Sequence, residues 1–546
     1  MKNHSLICLL FLLIFGTIYS QNPVFTRQDT LRGSITEERK WWDLVYYHLD
    51  IKVDPADSSI TGKNTIHYKV LEEHSLMQID LQPPLIFEKA MQNGRILKVR
   101  HEGNAHFVSM PENQKPGELM LIDIYYHGKP KLAYNPPWDG GISWETDQKG
   151  KPFIASSCQG IGASIWWPCK DHPYDEPDSM LISVNVPEEL MNVSNGRLRS
   201  LEKKEDKTKT FHWFVSNPIN HYGVNINIAD YAHFSEKYDG EKGILDCDYY
   251  VLKENLSKAK KQFMQVKLML DAFEYWFGPY PFYEDGYKLV EVPYAGMEHQ
   301  SSVTYGNGYR NGFLGSDVSN SGWGHKFDFI IIHESAHEWF ANSISNKDVA
   351  DMWMHESFAN YAENLFVEYH FGKKAGSEYV LGSRMNIKND RPIVGIYNVN
   401  YEGSGDMYYK GGNLFHTLRQ IVNDDKKWRN LFREMNKEFF NQTVTGKQIE
   451  DFICMQLHID LSKFFDQYLR DVRIPRFEYT VTSSEIHYRW NNCINDFEMP
   501  VKVYINEEEK WLMPSIEWQI LKTKSENSEL KVDPNFYVSV LNITGN

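Results

Sequence analysis

Three side chains of this 546-residue chain have the types and spacing of metal ligands. His333-Glu334-Ser335-Ala336-His337 sets two imidazoles four residues apart. On a helix they share a face and can reach one ion, with Glu334 beside them in the place of a general base. Residues 329–332 and Trp339-Phe340 are apolar, so this helix is expected to be buried. Two histidines and an acid without partners would be costly there. Glu356 follows His337 by nineteen residues. A stripe of Phe358, Ala362, Leu365 and Phe366 marks a second helix, from whose start Glu356 would project towards the first. Two imidazoles and a carboxylate supply the three protein ligands of a catalytic zinc and leave one position open. The chemistry would be metal-assisted hydrolysis. Glu363, on the same face as Glu356, is either a partner of a ligand histidine or a solvated helix glutamate.

Zinc alone does not choose between cutting inside a chain and cutting at its end. An enzyme that cuts at the N-terminus must hold a free α-amino group, and a buried carboxylate is the natural partner for that cation. Tyr294-Ala295-Gly296-Met297-Glu298-His299-Gln300 offers one, after a strand-like run over 288–292 and close before the zinc motif. A hydrolase of this kind also needs a donor for the oxyanion, and a neutral phenol suits that task. In Tyr408-Tyr409-Lys410-Gly411 either tyrosine could supply it. A further candidate contact is Gln159 in Ser157-Cys158-Gln159, which precedes Trp166-Trp167-Pro168-Cys169-Lys170-Asp171.

Together these segments resemble the gluzincin aminopeptidases of the aminopeptidase N family, with their pattern H-E-x-x-H, eighteen residues, then E. His337-Glu338-Trp339-Phe340-Ala341-Asn342 resembles the family's H-Q-W-F-G-N. Trp353-Met354-His355-Glu356 resembles W-L-N-E, with His355 where Asn is usual. Residues 295–299 resemble G-A-M-E-N, with the Gly/Ala pair exchanged and His299 for Asn. The resemblance implies that His333, His337 and Glu356 hold one zinc ion. It gives Glu334 the proton transfers between water and the leaving amine. It favours Tyr408 over Tyr409 for the oxyanion, by position relative to Lys410-Gly411. Glu298 would bind the substrate amine, with Gly296 and Met297 beside it on the same strand, and Gln159 would help hold the N-terminus. The implied substrates are peptides with a free N-terminus.

The implied architecture is multidomain α+β: an N-terminal β-saddle, a thermolysin-like, mainly helical catalytic domain and a small C-terminal β-sandwich. Larger members carry a further helical domain. Because the chain stops at Asn546, that domain is expected to be absent and the site more open. Three rival readings use the same residues: a zinc endopeptidase, the epoxide hydrolysis that one branch of the family adds, and an inactive peptide-binding relative. The last usually lacks ligands or base, and all are retained here.

The elements that must position these groups follow from the pattern of the chain. Apolar residues are 42% and charged residues 24%, with a net charge of -15. That is a globular composition, on a chain too long for one core. No basic stripe stands out, which excludes nucleic acid as the main partner. Alternation at Leu49, Ile51 and Val53, at Leu181 to Val186, at Thr210 to Phe214 and at Val224, Ile226 and Ile228 predicts a sheet-built domain over 22–245. Phe263, Val266, Leu270, Phe273 and Phe277 form one helical face stopped by Gly278-Pro279. Helical patterns, including a capping box at Thr445 and Gln448, fill 246–475. Alternation returns over 476–546. Residues 1–20 read as a secretory signal: Lys2, an apolar run over 6–19, then Ile18 and Ser20 before a cleavage point. The run is short for a membrane span, so the mature chain is expected to be secreted or periplasmic with no stable span. Of the cysteines that would remain, Cys158 and Cys169 are the nearest pair, and free buried thiols are favoured over a bridge.

Overall fold

The computed structural model describes residues 23–523 and 528–544. The expected signal segment lies outside the described residues.

The first unit is built around an eight-stranded sheet. Its centre is Trp42–Asp54, which buries Leu49, Ile51 and Val53 on alternate positions. This strand pairs antiparallel with Ser59–Val70 and parallel with Ser179–Pro187. A four-stranded and a three-stranded sheet complete the unit. One core joins them and contains Trp41, Trp42, Trp166, Trp167 and Trp213. The alternation at 224–228 yields only the short strand Asn227–Ala229. Upstream of it the backbone is served by side chains: Asn195 Oδ1 accepts from the Asn225 amide and Ser156 Oγ from the Ile226 amide. Val224 and Ile226 are buried outside the strand, and Ile228 is buried within it.

A five-stranded sheet opens the second unit with the hairpin Tyr231–Gly240 and Gly243–Leu252. The boundary expected near 245 falls inside the second of these strands. Leu245, Cys247, Tyr249 and Val251 pack into the core of the helical unit, while Tyr250 and Leu252 face the first unit. Gly243–Leu252 continues in parallel to Tyr287–Glu291 and Val303–Tyr305, and Gly296–Met297 forms the free edge.

Helices cover this sheet. The expected helical face is split into Leu256–Gln262 and Gln265–Phe277, and the second helix ends at Gly278 with φ 97°. Glycine takes that conformation without steric cost. Phe329–Ala336 and Trp353–Phe371 follow, then Tyr409–Val422, Asp425–Glu438, Gly446–Leu457 and Ser462–Arg470. The capping box closes as the sequence reads, with Thr445 and Gln448 each bonded to the other's backbone.

At the C-terminal end, Arg476–Val481 and Glu485–Asn491 belong to a four-stranded sheet and Val501–Ile505 to a three-stranded one. Phe477, Trp490, Val501 and Val503 merge with the core of the helical unit. Cys158, Cys169, Cys247, Cys454 and Cys493 are all free. Among the described residues no helix is long and apolar enough to cross a membrane.

Candidate metal centre

Phe329–Ala336 carries the two histidines at its end, with His337 at the C-cap position still in helical conformation. Asp328 caps its start by accepting from the Ile331 amide. Glu356 lies in the first turn of Trp353–Phe371. Nε2 of His333 and Nε2 of His337 each lie 3.5 Å from Glu356 Oε2. All three donor atoms are within 4.8 Å of one another.

The tautomers follow from the other ring nitrogens. His333 Nδ1 bonds Glu363 Oε1 at 2.7 Å, and His337 Nδ1 bonds the Phe340 carbonyl at 3.0 Å. In the neutral imidazoles, Nδ1 therefore donates and Nε2 turns a lone pair inward. Phe329 and Tyr408 both stack on the His333 ring, at 5.1 and 5.8 Å between centroids. Glu363 is in turn held by the Tyr379 hydroxyl at 2.5 Å and by Asn360 Nδ2 at 3.2 Å. Of its two readings, the structure selects the histidine partner.

The donor set fits zinc on an observation internal to the site. Glu356 Oε2 is buried with no hydrogen-bond partner, a state that costs free energy unless a cation meets the oxygen. It faces two imidazole lone pairs, and two nitrogens plus a carboxylate are the donors of a catalytic zinc site. Burial works against the charge of Glu356, yet the neighbouring imidazoles of His337 and His333 hold its carboxyl well below the usual range.

The remaining candidates converge on the same cleft. Gln159 Nε2 donates to Glu298 Oε1 and to Glu356 Oε1, both at 2.7 Å. The amide thus bridges the two carboxylates. Glu298 is buried, which raises its pKa, and its backbone carbonyl accepts from Asn342 Nδ2 at 2.9 Å. Glu334 is pushed up to about 7 by burial, against the pull of the His333 imidazole. A divalent cation beside it would draw it down again. Burial and the carboxylates of Glu356 and Glu298 keep Tyr408 protonated, as a neutral O–H donor.

Glycines set the close approaches. A Cβ on Gly296 would stand 2.5 Å from Ile330 Cγ2, so the free-edge strand lies directly against the metal helix. A Cβ on Gly411 would stand 1.9 Å from Ser357 Oγ, which lets Tyr409–Val422 close on the helix of Glu356. That contact brings Tyr408, just before the helix, over the ligands. The two departures from the family pattern are both neutral rings, His355 bonded at both nitrogens and His299 at Nδ1 alone, with its Nε2 buried and unpartnered. His355 Nε2 accepts from the Asn346 amide at 3.0 Å, with the Tyr222 hydroxyl 3.4 Å from Nδ1. His299 Nδ1 meets Thr304 Oγ1 at 3.2 Å, and burial holds both histidines near about 3.

Two cavities meet here. One, of about 210 Å³, is lined by Gly296, Met297, Glu298, Phe329, Ile330, the three metal donors, Glu334, Tyr408 and Tyr409, among others. The other, of about 560 Å³, shares Gln159, Glu356, Tyr408, Pro137 and Trp138 with it and extends towards Arg391 and Glu402. Sequence reasoning did not pick out Trp138, which stands alone after two prolines with no periodic neighbour.

The chain is similar to known proteins. The Peptidase family M1 domain matches residues 262–468 and the Peptidase M1 N-terminal domain residues 44–222, together more than half of the chain. Aminopeptidase B of Rattus norvegicus is 22% identical over 513 residues, 84% of this chain and 72% of its own length. Leukotriene A-4 hydrolase of Xenopus laevis is 21% identical, over 76% of this chain and 68% of its own. The crystal structure of an M1 zinc metallopeptidase from Deinococcus radiodurans superposes with a TM-score of 0.66 at 20% identity, covering 81% of this chain and 96% of that one. The chain belongs to peptidase family M1.

Proposed function

We propose that the protein is a zinc aminopeptidase, releasing the first residue of peptides that carry a free N-terminus. One observation carries this reading. The unpartnered oxygen of Glu356 and two imidazole lone pairs converge beside a second buried carboxylate, Glu298, with Gln159 spanning the pair. The relatives support it: those at similar identity include enzymes described as aminopeptidase B and aminopeptidase N. A form of the Deinococcus metallopeptidase was crystallised with Tyr-Ser-Ala as substrate.

When bound, zinc would polarise the scissile carbonyl and acidify water. His333, His337 and Glu356 would hold it. Glu334 takes the proton from water and returns it to the leaving amine. The Tyr408 hydroxyl donates to the oxygen that gains charge. Glu298 accepts the α-ammonium, and the Gln159 amide gives up one of its two carboxylate contacts as that cation arrives. This fixes the register so that one residue precedes the cut. Gly296–Met297, as a free strand edge along the cavity, offers backbone groups to the residues that follow.

The deciding experiment compares fluorogenic aminoacyl substrates and their N-acetylated forms, with and without a chelator. Aminopeptidase action requires metal-dependent cleavage of the free amines and at least about a hundredfold loss on acetylation. Equal rates on blocked peptides would instead make the protein an endopeptidase. The signal-like residues 1–20 support export to the periplasm or medium, which cell fractionation tests directly.

A further inference from the structure

Trp138 is the most exposed of the fifteen tryptophans, at 65%, while Trp41, Trp42, Trp166, Trp167 and Trp213 are at most 2% exposed. An indole left in water forfeits a large hydrophobic gain, and one placed at a concave site is suited to cover a ligand. Trp138 lines both cavities of the cleft. The residues that share this double placement are Pro137, Gln159, Glu356 and Tyr408, of which Gln159 is argued above to meet the N-terminus, Tyr408 the scissile bond and Glu356 the metal.

The loop that carries the ring is held in shape. The Asp139 carboxylate accepts from the Tyr134 and Asn135 amides at 2.8 and 3.0 Å. Lys131 Nζ donates to the Asp139 carbonyl at 2.5 Å. Gly140 follows with φ 62°, a left-handed turn that suits glycine. Ligand binding therefore meets a loop already ordered, and less freedom is lost on contact.

We infer that Trp138 is a substrate-contacting residue supplied by the N-terminal unit, its indole covering the first residue of the bound peptide and favouring bulky side chains there. The inference rests on the aminopeptidase reading and adds a specificity determinant to it. An indole face stacks on aromatic and branched aliphatic groups and attracts the cation of arginine or lysine. It gains little from an alanine.

The test measures kcat/KM of wild type, W138A and W138F on Tyr-, Arg- and Ala-derived fluorogenic substrates. W138A should lose about tenfold or more on the Tyr and Arg substrates, through KM, and less than about threefold on Ala, with W138F retaining most of the preference. A general structural defect would lower all three together. As a binding readout, Leu-Gly-Gly is titrated into Glu334→Gln and into the Glu334→Gln/Trp138→Phe double variant. The tryptophan emission change should be present in the first and lost in the second. A Tyr/Ala ratio unmoved by W138A in an active enzyme, or the same emission change in both proteins, overturns the inference and leaves the aminopeptidase reading standing. A wild type that cleaves no aminoacyl substrate defeats both.

Discussion

Buried charge is handled in opposite ways by the two halves of the molecule. In the N-terminal unit Arg39, Lys170 and Asp171 are each met by an opposite charge. Arg39 Nη2 meets Asp80 Oδ2 at 2.6 Å, with both side chains almost wholly buried. Lys170 Nζ meets Asp175 and the Trp42 carbonyl, under the Trp42 ring, and Arg32 pairs with Asp171. In the cleft, Glu298, Glu334 and Glu356 face one another around the two ligand imidazoles. Ion pairs satisfied within the chain hold architecture together. A cluster of carboxylates with one bare oxygen stays costly until ligands arrive, and that cost marks where the chemistry is.

The contrast predicts opposite outcomes for removing a charge. The largest effect is expected for Glu334→Ala, with kcat down by about 10³-fold or more. Stoichiometric metal should persist, and Tm should hold or rise, because one member of a repelling cluster is gone. A fall in Tm comparable to that from breaking a closed pair would erase the distinction. Arg39→Met is the mirror experiment. It leaves Asp80 buried without its cation and should cost about 3–5 kcal/mol by chemical denaturation, with kcat per folded molecule unchanged. Glu363→Gln tests the boundary between the two regimes, since Glu363 is bonded on both oxygens yet serves a ligand. Competition with a chromophoric chelator should show metal affinity down by about 10–100-fold, with stability of the metal-free protein little altered. The smallest effect is expected far from either region. Thr445→Ala opens the capping box of Gly446–Leu457 at about 1 kcal/mol and should leave kcat/KM untouched.

Much of the catalytic face could be read from sequence because its parts are local. Four-residue spacing sets His333 against His337, and a helical stripe after Glu356 orients that carboxylate. The capping box and the Gly278 stop were equally legible, each being a matter of a few neighbouring residues. What could not be read depends on long-range contact. Gln159 touches Glu298 and Glu356 from 139 and 197 residues away, and no periodicity encodes that. Glu363 had two readings until Tyr379 and His333 were seen to enclose it. Strand pairing continues unbroken across residue 245, so no break in pattern marks a change of unit there. The residues at 224–226 mimic a strand in pattern, while asparagine and serine side chains take over the hydrogen bonds a ladder would have used.

The Gln159 amide belongs to one folding unit, and the carboxylates it levels belong to the other. Its single nitrogen therefore works as a gauge of how the two units are seated. A small shear between them would lengthen one 2.7 Å contact at the expense of the other and tilt Glu298 relative to the zinc donors. Without the N-terminal unit, Glu298 and the three metal donors would stay together and lose the one amide that spans them.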